Sequence, residues 1–294
     1  MSPHASWNPN GTTFANSSII GTNPYGIFVT VNNTIYASNK GNGRIQIWSN
    51  NSLDPTKTIF GNLVSPWSIF VTMVGDIFVD NDGNGRVDKF TVNTNTSTPV
   101  MYGNSACFGL VVDTANTLYC SMYTNHQVVK RWLNDNSNLS TIVAGNGMAG
   151  NSTSMLNGPH GIFVDVNLDL YVADCSNNRV QLFQLGQSNG ITVAGSTSIN
   201  ITITLSCPAS VVLDADGYLF IADESNQRIV GSGPDGFRCI VGCPGTTNAS
   251  SPLRNPCGLS FDIFGNLYVM NYGGHKIMKF LLINSSGKSM KVLS

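Results

Sequence analysis

Five side chains that can recognise a ligand recur at one equivalent position of a repeated sequence pattern. Each repeat has an apolar stretch, a short turn, a second apolar stretch, and then Asn or Gly leading into Arg or Lys. The equivalent position, five residues before the end of the first apolar stretch, is occupied by Tyr25, Trp67, Phe108, His160, Ala209 and Cys257. Aromatic faces bind apolar and cationic groups. We therefore predict a binding site at Tyr25, Trp67, Phe108, His160 and Cys257. The alternative is that these side chains only fill the centre of the fold.

The repeat also predicts the elements that position these side chains. The residues that end the first apolar stretches are 42, 41, 52, 49 and 48 residues apart, namely Thr30, Thr72, Asp113, Asp165, Asp214 and Asp262. Each repeat holds four strand-sized segments, which in the fourth are 161–164, 170–173, 179–184 and 190–194. Several segments are apolar throughout, as expected of strands buried on both faces. The sequence predicts an all-β, six-bladed β-propeller of four-stranded antiparallel blades.

We assign the whole chain, 1–294, to this single propeller domain. The repeats extend approximately over 22–62, 64–103, 106–145, 157–195, 206–243 and 255–283. The sixth repeat shows three strands, and the segment 11–16 resembles the outer strand of the first repeat. We predict that 11–16 completes the last blade, with 288–293 as the alternative. An open solenoid would need polar end caps, which the sequence does not show.

The turn after the second strand of each repeat resembles the NHL repeat. The matching segments begin at Asn42, Asn84, Asn125, Asn177, Asn226 and Gly274, and most read Asn-x-Arg followed by Ile or Val. The third repeat departs with Gln127 and the sixth with Gly274. The resemblance implies a six-bladed propeller. We interpret the arginines as structural, with Arg44, Arg86, Arg179 and Arg228 reaching Asn39, Asn81, Asp174 and Asp223.

Two activities of similar propellers are kept as alternatives. The segment around His160 resembles a ligand segment of peptidyl-α-hydroxyglycine amidating lyase, whose zinc is held by three His. The equivalent positions of the other repeats hold no His, so we expect no metal, no cofactor and no enzyme. RNA-binding NHL domains use a basic face, whereas this chain has a net charge of −1. We therefore expect no nucleic-acid partner.

Seven cysteines indicate a disulfide framework. Cys107 and Cys120 flank one hairpin, and Cys239 and Cys243 flank a turn. Cys175 follows the second strand of the fourth repeat, and Cys207 opens the first strand of the fifth. We predict three disulfides, Cys107–Cys120, Cys175–Cys207 and Cys239–Cys243, which leave Cys257 unpaired. A zinc site is the alternative, although no Cys-x-x-Cys occurs and we expect the histidines to face other loops.

Ten Asn-x-Ser/Thr sequons and the cysteines favour an extracellular protein. The predicted glycosylation sites are Asn10, Asn16, Asn32, Asn50, Asn95, Asn138, Asn151, Asn200, Asn248 and Asn284. The first residues lack the design of a signal peptide, and no apolar run is long enough to span a membrane. The sequence thus predicts a monomeric, extracellular, non-enzymatic domain that binds a protein, peptide or small ligand at one channel mouth.

Overall fold

The structure, a computed structural model, describes residues 5–49, 51–91, 94–135, 139–195, 198, 202–244 and 252–283. The strands in chain order are β1 (Thr12–Ala15), β2 (Pro24–Val29), β3 (Ile35–Asn39), β4 (Arg44–Trp48), β5 (Lys57–Ile59), β6 (Ile69–Val71), β7 (Ile77–Asn81), β8 (Arg86–Phe90), β9 (Ser97–Tyr102), β10 (Cys107–Val112), β11 (Thr117–Met122), β12 (Gln127–Trp132), β13 (Thr141–Gly145), β14 (Pro159–Val164), β15 (Leu170–Asp174), β16 (Arg179–Phe183), β17 (Ile191–Gly195), β18 (Pro208–Leu213), β19 (Leu219–Asp223), β20 (Arg228–Gly233), β21 (Gly236–Val241), β22 (Pro256–Phe261), β23 (Leu267–Asn271) and β24 (Lys276–Phe280). One helical turn, α1 (Ser17–Ile20), follows β1, and 3-10 turns occupy Asp82–Asn84, Cys175–Asn177 and Tyr272–Gly274.

These strands form six antiparallel four-stranded sheets, one for each repeat. Blades one to five are β2 to β5, β6 to β9, β10 to β13, β14 to β17 and β18 to β21, and blade six is β22 to β24 with β1. The first strand of each of the first five blades contacts the first strand of the next, and β22 contacts β2. The ring is therefore closed, and the predicted six-bladed propeller is confirmed.

The N-terminal strand closes the ring as predicted. β1 pairs antiparallel with β24, with Thr12 opposite Lys279 and Thr13 opposite Met278. The alternative outer strand, 288–293, lies outside the described residues. The closure also extends further than predicted, because Trp7 is buried and its indole N–H donates to the carbonyl of Gly265 at 2.8 Å.

Small residues let the inner strands of neighbouring blades pack closely. A Cβ atom added to Gly109 would lie 2.7 Å from the amide nitrogen of Ile162 in the next blade. Serine hydroxyls join blades directly: Ser38 donates to the carbonyl of Trp67 at 2.7 Å, and Ser121 donates to the carbonyl of His160. Such buried hydrogen bonds fix the spacing of the blades and hence the shape of the channel.

The residues that end the inner strands close the following hairpin turns. In four blades an aspartate oxygen accepts two backbone N–H bonds, as Asp165 does from Asn167 and Asp169 at 2.9 Å each. Thr30 and Thr72 accept one such bond through their hydroxyl oxygens, each at 3.1 Å. These side chains replace backbone partners in the turn, which explains why Asp and Thr recur there.

The interpretation of the repeated arginines is correct in two of the four blades proposed. Arg179 pairs with Asp174 at 2.7 Å and Arg228 with Asp223 at 2.8 Å. Arg86 instead pairs with Asp88 at 2.8 Å. Arg44 donates to the carbonyl of Ile19. The two exceptions have a neutral Asn where the others have Asp, so no charge holds the guanidinium across the turn.

The structure contains disulfides between Cys107 and Cys120, Cys175 and Cys207, and Cys239 and Cys243, which are the pairs expected from the sequence. Cys257 is a free, buried thiol. Among the described residues, no helix has both the length and the apolar character needed to cross a membrane.

Candidate functional site

The central channel contains a cavity of about 170 Å³, walled by the six inner strands. Its wall includes the apolar side chains of Phe28, Phe70, Val111, Phe163 and Val212, and most of the exposed lining is apolar. Phe28, Phe163 and Val212 are each only partly buried although they lie in inner strands. The channel is thus partly open inside and not completely filled by side chains.

The predicted site residues lie together at one end of this channel and form a plug of stacked rings. The ring centroids of Trp67 and Phe108 are 4.2 Å apart, and Tyr25 meets Trp67 edge-on at 4.6 Å. His160 lies 4.9 Å from Phe108. Tyr123, which is not among the predicted site residues, stacks on Phe108 at 4.7 Å. Aromatic rings at these distances and angles attract one another, which stabilises the cluster.

Three of the five predicted residues form the floor of the cavity. Tyr25, Phe108 and Cys257 line it from the plugged end, whereas Trp67 and His160, which also belong to the plug, do not line it. The lining also includes Thr114, Asp165 and Val166 in hairpin turns at the other end of the inner strands. The cavity is therefore approached from the face that carries these turns, which we call the hairpin-turn face.

The hairpin-turn face has an apolar rim that was not predicted from the sequence. Five large apolar side chains in turns that follow inner strands are 46–79% exposed: Val31, Met73, Val74, Val166 and Phe264. Hairpin turns usually carry polar residues, so apolar side chains in four of the six turns were a signal available in the sequence. Exposed apolar side chains around an apolar cavity are typical of a binding site.

Burial controls the ionisation of the groups in and around the plug. It raises the pKa of Tyr25 and of Cys257 well above their ordinary values, with the charge of Glu224 as a further cause for both. It also lowers the pKa of His160 to about 4. At neutral pH the phenol, the thiol and the imidazole are therefore uncharged, so the cavity floor carries no charge.

His160 lies beside a carboxylate and a disulfide on the outer side of the plug. Its Nδ1 atom is 4.0 Å from Oε2 of Glu224, too far for a hydrogen bond, and has no other partner among the described residues. One ligand atom of His160 and the sulfur atoms of Cys175 and Cys207 all lie within 4.8 Å of one another. The expectation that histidine and cysteine face different loops was therefore wrong, because the 3-10 turn that begins at Cys175 places its sulfur beside the start of β14.

Comparison with known proteins supports the fold. Residues 156–183, in blade four, match the NHL repeat family. A protein of unknown function from Bacteroides thetaiotaomicron is 16% identical, with a TM-score of 0.74 over 95% of this chain and 77% of that chain. An inactive virginiamycin B lyase from Staphylococcus aureus, solved with quinupristin, is 14% identical (TM-score 0.62, 94% and 86% covered). A luciferin-regenerating enzyme is 12% identical (TM-score 0.67, 97% and 98% covered). No curated protein sequence matches the chain.

The chain is thus a six-bladed β-propeller that contains an NHL repeat. The prediction that it is not an enzyme was wrong, because propellers of the same fold include a lyase and a luciferin-regenerating enzyme. Sequence identities of 12–16% indicate only a shared fold, and proteins with this fold include both enzymes and binding proteins. Function must therefore be argued from the site.

Proposed function

We propose that this propeller binds, inside its channel, an apolar group about the size of one six-membered ring. The cavity is the observation that carries this proposal. It has about 170 Å³ of space, apolar walls and an uncharged floor. An apolar protein cavity of about 150 Å³ stays dry and accepts benzene. Burial of an apolar surface in such a space is favourable, because it removes that surface from water.

The rim and the floor of the cavity contact different parts of the ligand. Val31, Met73, Val166 and Phe264 on the hairpin-turn face offer apolar contacts to the part of the ligand that stays outside the channel. The ring that enters the channel would reach Phe108 at its floor. The plug closes the far end, which limits the length of the group that fits. A free ring compound and an aromatic side chain on a peptide share this chemistry.

Filling the cavity tests the proposal. Val111 and Val212 occupy the position at which blades one, two and four already have Phe28, Phe70 and Phe163. We expect Val111→Phe with Val212→Phe to be accepted by the fold but to weaken binding of benzene by more than about tenfold, which is about 1.4 kcal/mol. Ligand-observed NMR measures the affinity, and the melting temperature reports on folding.

The control is Val64→Phe, because Val64 is 49% exposed and does not line the cavity. This variant should bind benzene like the unchanged chain. N-acetylphenylalaninamide serves as a second probe that distinguishes a peptide side chain from a free ring. If neither probe binds the unchanged chain, or if the filled variant binds benzene equally well, the channel is not the binding site.

We further propose that the protein is extracellular. Three disulfides join six of its seven cysteines, and persistent disulfides belong to oxidising compartments. The asparagines of five sequons are exposed and accessible to glycan addition: Asn10, Asn16, Asn32, Asn95 and Asn151. The other five, Asn50, Asn138, Asn200, Asn248 and Asn284, lie outside the described residues.

Expression through a secretory pathway tests this assignment. We expect treatment with an N-glycosidase to lower the apparent mass of the protein. Thiol titration in denaturant should detect one free thiol, that of Cys257, because the other cysteines are paired. Seven free thiols and an unchanged mass in the secreted protein would contradict the proposal.

A further inference from the structure

We propose that Cys175, Cys207, His160 and Glu224 form a zinc site that becomes available when the Cys175–Cys207 disulfide is reduced. The four residues lie where blades four and five meet, on the outer side of the aromatic plug. None of them lines the channel cavity, so the site is separate from the proposed ligand site. Its donor set of two sulfurs, one nitrogen and one oxygen also differs from a site made of three histidines.

The positions of the donor atoms support this site. One ligand atom of His160 lies within 4.8 Å of both sulfurs. Oε2 of Glu224 is 3.9 Å from the sulfur of Cys207 and 4.0 Å from Nδ1 of His160. Among the described residues, the only group of three or more His, Cys, Asp or Glu side chains with converging donors is His160, Cys175 and Cys207. Zinc prefers four such ligands in a tetrahedral arrangement.

His160 supplies an independent indication of a missing partner. Only 8% of its surface is exposed, yet its buried Nδ1 atom forms no hydrogen bond within the part of the chain that the structure describes. Buried polar atoms are almost always paired, so a buried imidazole nitrogen that has no partner among the described residues and lies 4.0 Å from a carboxylate is unusual. The carboxylate is already oriented, because Oε1 of Glu224 accepts a hydrogen bond from Asn255 at 3.3 Å. A hydrogen bond from a neighbouring amide to a carboxylate holds its ligating oxygen in position.

The disulfide keeps the site closed. Zn–S bonds of about 2.3 Å place two thiolates about 3.8 Å apart, which a covalent S–S bond does not allow. Two molecules of a thiol reductant supply two electrons and two protons. The two reductant molecules are oxidised to one disulfide, while Cys175 and Cys207 are reduced to two thiols. Zn²⁺ then binds both sulfurs and releases two protons. Cys207 is partly exposed, so a reductant can reach this disulfide.

Metal binding before and after reduction tests the proposal. The whole chain is reduced with excess monothiol, freed of the reductant by anaerobic gel filtration, and titrated with Zn²⁺ against a chromophoric chelator. We expect the reduced chain to bind about one zinc tightly, as a single four-ligand site requires, and the oxidised chain to bind none. Co²⁺ in place of Zn²⁺ should give the thiolate charge-transfer and d–d absorption of a tetrahedral site.

Two sets of variants assign the ligands. Cys239→Ser with Cys243→Ser removes a different disulfide and should leave zinc binding by the reduced chain unchanged. His160→Phe and Glu224→Gln keep the Cys175–Cys207 disulfide available for folding. Each should weaken zinc binding by more than the roughly 10–100-fold that loss of an outer partner costs. Cys175→Ser with Cys207→Ser should abolish binding. Equal zinc binding by the oxidised and reduced chains, or undiminished binding by His160→Phe, overturns the proposal.

Discussion

Deletion of residues 1–16 is expected to lower the melting temperature by on the order of 10 °C or more. The deletion removes β1, which is the outer strand of blade six, and leaves the edge of β24 without its hydrogen-bond partner. It also removes Trp7, whose ring packs edge-on against Phe220 at 5.6 Å and lies 6.1 Å from Phe261. Loss of a buried Trp alone typically costs about 3–5 kcal/mol. Scanning calorimetry measures the effect.

Single substitutions separate the contribution of Trp7 from that of β1. Trp7→Ala should reproduce part of the loss, because Trp7 is only 3% exposed. Trp132→Ala is the matched control: Trp132 is 54% exposed, and we expect a change of about 0.5 kcal/mol or less. Deletion of 284–294 tests the alternative closing segment and should change little, because β1 already occupies the edge of β24. An unchanged melting temperature after loss of 1–16 would contradict closure by the N-terminus.

The architecture was predictable because its determinants are local and repeated six times. Asp165 and Thr30 close equivalent turns, and small residues such as Gly109 permit close packing of adjacent inner strands. The same order of strands and turns recurs in every blade, so an ambiguous segment in one repeat can be assigned from the equivalent segments of the others. The NHL resemblance rests on a different turn, the one after the second strand, and the match to the family at 156–183 includes the Asn-Asn-Arg-Val segment at 177–180.

The site was predictable only in part, because its shape depends on side chains that meet across the ring. The sequence placed Tyr25 and Phe108 at one channel end, but it did not show whether their rings would stack on each other or leave a cleft. The structure packs the two rings edge-on at 5.6 Å within the plug, and the remaining space opens on the opposite face. The proximity of His160 to the Cys175–Cys207 disulfide was not predicted for the same reason, since this disulfide joins two blades.

Replacement of Arg179 by Met is expected to destabilise the protein by about 3–5 kcal/mol, the usual cost of leaving one partner of a buried ion pair alone. Arg179 is only 4% exposed and donates to Asp174 and to the carbonyls of Asn151, Ser152 and Met155. The variant leaves these three carbonyls without the donor and leaves the fully buried carboxylate of Asp174 without its counter-charge. Urea unfolding at pH 7 measures the loss of stability.

Arg44→Met is the matched control, because Arg44 occupies the equivalent place in blade one but faces the neutral Asn39 in place of an aspartate. Its guanidinium donates to the carbonyl of Ile19 at 2.9 Å, so we expect a loss of about 1 kcal/mol. Equal losses in the two variants would show that the buried charge of Asp174 has no special cost.

The effect of Arg179→Met should also depend on pH. Burial already raises the pKa of Asp174 in the folded protein, against the lowering effects of Asn177 and Arg179. Removal of Arg179 takes away one of these opposing contributions, so the pKa should rise further. A carboxyl whose pKa is higher in the folded than in the unfolded state binds more protons when folded, so its contribution to stability increases as the pH falls. The variant should therefore recover part of its lost stability as the pH is lowered from 7 towards the unfolded-state pKa of about 4. A loss that stays constant over this range would mean that the carbonyls, and not the carboxylate, account for the cost.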